Sequence, residues 1–424
     1  MKFYVIGITD NPRPFLPPEV LEVIRNGKVF SGGKRHHEIV KSLLPEDAEW
    51  IDITVPLDAV FERYHLSTLN SQPSPLTSQP LSLTSQPSPL PSPLSPLIVF
   101  ASGDPLFFGF ANTIRRKMPD ADIVVYPTFN SLQMLAHRLV TAYHDMRIVS
   151  LTGRPWQEFD RALMEGTTKI GVLTDKEHTP AAIARRMMDY GYQDYEMHIG
   201  EHLGHPAKER ITSLPLEAVS GQEFAHPNCL ILIGGHQRRW GLPDGEFALL
   251  DGREKMITKM PIRLLTLQAL DLPCRHVFWD IGFCTGSVSI EARLQFPHLH
   301  IEAFEIRPEC EAIIHENARH FGAPGINLHM GDFLTTTLPT GERLPDAVFI
   351  GGHGGRLKEI MAKVLTVLSP DGVIVMNSVV APKVTTDSRQ LWDEACQELG
   401  LRQEPPLHIQ HNDNHPITIL KCSR

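Results

Sequence analysis

Residues 276–296 read HVFWDIGFCTGSVSIEARLQF. The first part is a proline-free apolar run, short enough for a strand buried on both faces. The last part spaces its apolar residues as a helix does. Between them lies Asp280-Ile-Gly282-Phe-Cys284-Thr285-Gly286, where a strand breaks into a glycine turn and a helix opens. Glycines there let the backbone approach a ligand closely, and the start of a helix offers free N–H groups. The stretch predicts a doubly wound α/β sheet with its ligand at the carboxyl ends of the strands.

Downstream, strands are expected at 300–306, 327–332, 346–352 and 372–379, separated by helical segments, so about 120 residues suffice for one complete sheet. Glu305 closes the strand after the glycine turn, 19 residues beyond Gly286. A carboxylate at that place can accept both hydroxyls of a ribose. Gly331-Asp332 closes the third strand and suits the edge of an adenine ring. The competing reading of these positions is a tight turn with a solvated glutamate.

Upstream, apolar strands at 2–8, 97–105, 122–126, 147–151, 169–173 and 229–235 alternate with helical segments and give a second α/β region. Proline is in excess, 35 of 424 residues, and eight of these fall between residues 70 and 96. No Lys, Arg, Asp or Glu occurs from Tyr64 to Gly103, and NSQPSPL, TSQPLSL and TSQPSPL repeat at seven-residue spacing. Proline in each unit excludes a coiled coil. Segment 68–96 therefore reads as a disordered Pro/Ser-rich insertion in the first region, with a Pro-rich docking peptide as the alternative.

Forty Lys and Arg against 49 Asp and Glu give a net charge of −9, so no global positive field attracts nucleic acid or an anionic membrane. The six cysteines are scattered without a C-x-x-C pair, which fits a reducing compartment. No apolar run approaches the ~20 residues of a membrane span, and Asp10 comes too early for a signal peptide. The expectation is a soluble cytoplasmic protein. His36-His37, His202 with His205, and His411 with His415 join no Cys, Asp or Glu set at a metal-ligand spacing, so no metal is expected.

A dinucleotide site would read G-x-G-x-x-G; D-x-G-x-x-T-G followed by a strand-end acid instead resembles the class I S-adenosylmethionine methyltransferases. MITKMPIR (256–263), GSVSIEA (286–292), GDFL (331–334) and DAVFIGGHGG (346–355) narrow the resemblance to the C15-methylating, decarboxylating (CbiT-like) domain of the precorrin-6Y methyltransferase family. The front region is similar to a CbiE-like class III tetrapyrrole methylase. Its markers are Val5-Ile-Gly7-Ile8, Ser31-Gly-Gly-Lys34-Arg35, Ser102-Gly103-Asp104-Pro105, Ser150-Leu-Thr-Gly153-Arg154-Pro155 and Leu232-Ile-Gly234-Gly235. Together they resemble the fused CobL-type family.

That resemblance implies an N-terminal methylase domain of two α/β lobes (1–236), a linker (237–255) and a C-terminal Rossmann-like domain (256–424). It implies two S-adenosylmethionine sites, methylation at C5 and C15, and decarboxylation of the C12 acetate. It also implies a homo-oligomer. Cofactor residues would be Thr258, Gly282, Phe283, Cys284, Thr285, Gly286, Glu305, Asp332 and Phe333 in the rear, and Gly7, Gly103 and Asp104 in the front. A polycarboxylate substrate calls for cations and open loops, with Lys34, Arg35, Lys259, Arg263, Gly351, Gly352 and Arg356 as candidates. His353, inside a glycine loop, is either a proton donor or a tolerated loop residue.

The chain departs from the family in places. Cys284 stands where glycine is usual, a change expected to be tolerated at negative φ. Pro261 replaces a glutamate but suits a first helical turn. Pro127-Thr-Phe-Asn-Ser131 replaces Pro-Gly-[Ile/Val]-Ser-Ser, and Thr9 replaces proline. Two alternatives stay open at this point: an RNA methyltransferase, and a binding protein with an inactive front domain. The rear segment 256–424, with 15 Lys and Arg against 19 Asp and Glu, has no basic stripe to favour RNA.

Overall fold

The computed structural model describes residues 1–69, 96–253, 256–339, 344–379, 388–410 and 416–424. The Pro/Ser-rich repeat and the pair His411 and His415 lie outside these residues. By its internal contacts the chain forms two compact units. The first takes in 1–152, 169–181 and 196–233; the second takes in 153–168, 182–195 and 234–424.

The first unit opens with β1 (Lys2–Ile8), α1 (Pro18–Arg25), β2 (Val29–Gly32), α2 (Lys34–Val40), β3 (Glu49–Asp52), α3 (Asp58–Leu69), β4 (Leu97–Ser102), α4 (Phe110–Lys117) and β5 (Asp122–Tyr126). These strands form a five-stranded sheet in the order β3-β2-β4-β1-β5, with every pair parallel. The central strand LIVFAS is buried for five of its six residues, the continuous apolar pattern expected of a strand covered on both faces.

A second sheet follows α5 (Ser131–Leu139). It comprises β6 (Arg147–Ser150), β7 (Lys169–Leu173), β8 (Tyr195–Glu201), β9 (Arg210–Pro215) and β10 (Asn228–Gly234), in the order β6-β7-β10-β8-β9. Helices α6 (Gln157–Met164), α7 (Pro180–Asp189) and the short α8 (Leu216–Val219) interrupt it. Unlike the first sheet it is mixed: β10 runs antiparallel to β7, and β9 antiparallel to β8.

The second unit contains α9 (Met260–Ala269), β11 (Val277–Ile281), α10 (Ser287–Gln295), β12 (His300–Glu305), α11 (Glu309–Phe321), β13 (Ile326–Met330), β14 (Ala347–Ile350), α12 (Leu357–Leu365), β15 (Val373–Val379), α13 (Ser388–Leu399), β16 (Arg402–Gln403), β17 (Leu407–Ile409) and β18 (Ile417–Ser423). The sheet order is β13-β12-β11-β14-β15-β18-β16, with β17 also paired to β18. Strands β11 to β15 are parallel, and the last strands join antiparallel. All five residues of β11 are buried. Trp279 packs on Phe304, with ring centroids 5.1 Å apart, and Phe304 lies edge-on to Phe333.

Helix ends follow local chemistry. Pro261 is the second residue of α9, where its missing N–H costs nothing. Helix α11 carries Glu309 and Glu311 in its first turn and stops at Gly322, whose φ of +73° is a left-handed cap. Asn130 caps α5: its side chain accepts the Gln133 N–H at 2.9 Å, and the Gln133 side chain takes the Asn130 N–H at 3.0 Å. The altered 127–131 segment thus keeps a sound helix start. Among the described residues, no helix is long and apolar enough to cross a membrane.

Candidate active site

In the second unit the strand order reverses between β12-β11 and β14, so the loops after β11 and β14 leave the sheet side by side. That is the switch point at which open α/β sheets bind ligands. Gly351 N–H donates to Ile281 O at 2.8 Å, which locks the two loops together. Gly282 has φ +80°, and a Cβ there would meet Gly352 N at 2.7 Å. Glycine is therefore required by both conformation and space. The loops border a cavity of about 200 Å³.

That cavity is lined by Thr258, Gly282, Phe283, Cys284, Glu305, Asp332, Phe333, Gly351, Gly352, His353 and Arg356, which the sequence had singled out. Thr285 and Gly286, expected beside them, do not line it. Thr285 is buried and its carbonyl accepts from Asn317, while Gly286 (φ +74°) caps α10 against Ile314. They shape the turn rather than the cavity wall.

Cys284 departs from expectation in its backbone. Its φ is +49°, not negative. A side chain in that region costs roughly 1–2 kcal/mol, and the loop holds the conformation with a 2.9 Å bond from Cys284 N–H to Glu305 Oε2. The other Glu305 oxygen accepts from the N–H groups of Ile306 and Arg307 and from the Arg307 side chain. Glu305 is thus a buried acceptor at the strand end, with lone-pair capacity left on Oε2 for a ribose hydroxyl.

Asp280 was not among the candidate residues, although it begins the quoted glycine loop. Its Oδ2 accepts from Ser289 at 2.5 Å, while Oδ1 is buried and has no hydrogen-bond partner among the described residues. Burial pushes its pKa up to about 7, against the pull of the Ser289 bond. A folded-state pKa above the unfolded one means the folded chain holds an extra proton between about pH 4 and 7. Stability from this group is therefore full at low pH and is lost as pH rises through 7, by up to about 1.4 kcal/mol per unit. A cationic ligand group reaching Oδ1 reverses the balance. We expect S-adenosylhomocysteine affinity, measured calorimetrically, to rise up to about tenfold per pH unit below 7 and then level off. Asp280→Asn should flatten that profile; an unchanged profile would remove Asp280 from the cofactor contacts.

The expected cations divide. Arg356 pairs with Asp332 at 2.8 Å at the cavity edge, and this holds the Asp332 carboxyl below its usual range. Lys259 lies 3.9 Å from Asp244. Arg263 does not meet expectation as a substrate contact. Its side chain is fully buried: Nε donates to Glu291, NH1 to Asp244 and Thr258 O, and NH2 to Leu242 O. It is a clamp on the segment before α9. Imidazole His353 is kept uncharged by burial, and its Nδ1 accepts the Gly355 N–H at 3.1 Å. Its hydrogen consequently sits on Nε2.

The first unit holds a larger cavity, about 420 Å³, lined in part by Arg35, Gly103, Phe107, Phe108, Phe129 and Asn130. Gly103 has φ +60°. Gly7 supports it from behind, since a Cβ on Gly7 would lie 2.0 Å from Gly103 O. Asp104 does not line the cavity; its carboxylate accepts the Leu106 N–H at 2.8 Å and shapes the turn. Lys34 is exposed and also outside the lining. Asp10, His36 and Ser102 face this cavity too; they are not among the expected site residues, because their contacts join three separate strand ends. Among the described residues no group of three His, Cys, Asp or Glu side chains gathers as metal ligands would.

These geometries fit a cofactor with a cationic end and a ribose. A model described as a precorrin methyltransferase domain matches residues 251–405. The precorrin-6Y C(5,15)-methyltransferase [decarboxylating] of Sinorhizobium sp is 30% identical over 401 residues, 93% of this chain and 88% of its own. The cobalt-precorrin-6B C(15)-methyltransferase (decarboxylating) of Salmonella typhimurium is 32% identical over 182 residues, 41% of this chain and 93% of its own. The cobalt-precorrin-7 C(5)-methyltransferase of the same organism is 26% identical over 216 residues, 51% of this chain and 92% of its own. Fold and relatives together define an S-adenosylmethionine-dependent methyltransferase. The chain belongs to the precorrin-6Y C(5,15)-methyltransferase (decarboxylating) family.

Proposed function

We propose that this chain methylates precorrin-6Y, or its cobalt-containing form, at C5 and C15 and decarboxylates the C12 acetate, releasing its carboxyl group as carbon dioxide and, after protonation, leaving a methyl group on the ring. In this reading residues 1–236 carry the C5 site and residues 256–424 carry C15 methylation and decarboxylation. The observation that supports it most is the Sinorhizobium match along 93% of the chain, joined to one ligand-sized cavity in each unit.

S-adenosylmethionine supplies an already activated methyl group, so the protein's work is alignment and exclusion of water. In the second unit Gly282 and Gly352 leave room for close approach, Glu305 accepts ribose hydroxyls, and Asp280 faces the cationic end. His353 offers its Nε2 hydrogen to the substrate. A neutral imidazole is a weak acid, so this contact orients the tetrapyrrole.

The reading is tested against RNA methylation by giving the protein tritiated S-adenosylmethionine with the tetrapyrrole or with RNA. Label in the tetrapyrrole alone is expected; transfer to RNA alone would overturn it.

A further inference from the structure

In the first unit, two side chains converge on one hydroxyl. Ser102, the last residue of β4, lines the cavity. Its Oγ accepts from Arg35 NH2 at 2.7 Å and lies 2.9 Å from His36 Nε2. Gly33 N–H donates to His36 Nδ1 at 3.2 Å, so that nitrogen carries a lone pair. Burial draws the His36 pKa down to about 4, and the ring is neutral near pH 7. Its one hydrogen is therefore on Nε2, and Nε2 can only donate.

A hydroxyl has two acceptor lone pairs and one hydrogen. Arg35 and His36 are both donors, so neither takes the Ser102 hydrogen. Ser102 is exposed at the cavity wall, so that hydrogen is open to an acceptor that enters the cavity in place of solvent. The guanidinium also makes Ser102 a stronger donor than an ordinary serine, as charge-assisted chains do.

The rest of the network fixes this arrangement. Asp10 Oδ1 holds Arg35 NH1 at 2.8 Å, and Asp10 Oδ2 accepts from His202 Nδ1 at 2.9 Å. His202 itself sits at φ +47°, a strained position for a residue with a side chain. Arg35 keeps further N–H groups beside the Ser102 hydroxyl and lines the same cavity.

We propose that Ser102 and Arg35 form a donor pair that binds a carboxylate in the first-unit cavity. This rests on the methyltransferase reading above, which brings two sources of carboxylate to that cavity: a side chain of the tetrapyrrole and the methionine end of the cofactor. Asp10, His36 and His202 are positioning residues that keep the pair aimed.

The test uses the full chain, with C5 methylation followed at varied concentrations of each reactant. Ser102→Ala should raise the KM of one reactant by roughly ten- to a hundredfold, the loss expected for a hydrogen bond to a charged group. A rise for the tetrapyrrole assigns the pair to a substrate carboxylate; a rise for S-adenosylmethionine assigns it to the methionine end. Ser102→Thr, which keeps the hydroxyl, should restore most of the loss. Unchanged KM values in Ser102→Ala, or a loss that Thr does not restore, would overturn the proposal. Wild-type C5 turnover in the same experiment tests the functional reading separately, because its absence would defeat that reading whatever the variants do.

Discussion

Gly282→Ala is expected to remove one of two S-adenosylhomocysteine sites per chain in a calorimetric titration. The added Cβ would lie 2.7 Å from Gly352 N and 3.1 Å from its Cα, and both are backbone atoms that cannot rotate away. The φ of +80° adds roughly 1–2 kcal/mol of strain for any L side chain. Relief requires the loops after β11 and β14 to separate, and those loops frame the second-unit cavity. Affinity at that site should fall at least about a hundredfold, near 3 kcal/mol. None of the described residues lining the first-unit cavity belongs to this turn, so its site should titrate normally. Two sites of unchanged affinity would show that the ligand does not lie against Gly282.

Arg263→Ala is expected to act on folding rather than on substrate recognition. The substitution leaves Glu291, itself fully buried, without its cation. Losing one partner of a buried pair typically costs about 3–5 kcal/mol. Glu291 also accepts the N–H groups of Gly241 and Leu242, and Arg263 holds the carbonyls of Leu242 and Thr258. The segment carrying Thr258 to the cavity should therefore loosen. Urea unfolding should show a lower midpoint for the second unit, with weakened cofactor and tetrapyrrole binding alike. The double variant Arg263→Met/Glu291→Gln should lose less than the sum of the single changes, as coupled sites do. An unchanged midpoint with a rise in tetrapyrrole KM alone would return Arg263 to the substrate surface.

Arg263 shows where sequence reasoning stopped. An arginine near a ligand loop reads as a carboxylate contact because surface cations usually are exposed. Its burial depends on Glu291, 28 residues away on another helix, and spacing alone carries no such pairing. The strand-end residues behaved differently. Gly282, Glu305 and Asp332 are fixed by the local order of strand, turn and helix, and each borders the cavity. Their neighbours Thr285 and Gly286 belong to the same motif but turn inward, because the helix begins there.

The sheets show the same division. Parallel strands such as VFWDI and LIVFAS announce themselves as short apolar runs. The short β2 and β3 and the antiparallel β16 and β17 carry no comparable run, and pairing across the sheet makes them strands. Ser102 is the clearest case of a site hidden from sequence. Its significance lies in donors from Arg35 and His36 arriving together, 67 and 66 residues away along the chain.

One chain of this family is expected to perform two methyl transfers and one decarboxylation. This expectation is tested most directly by incubating the full-length protein with precorrin-6Y and S-adenosylmethionine carrying a carbon-13 methyl group, then recording the carbon-13 spectrum of the product and the carbon dioxide released. Two enriched methyl signals, at C5 and C15, are expected, with one carbon dioxide per tetrapyrrole. A single enriched methyl, or two methyls without carbon dioxide, would contradict it.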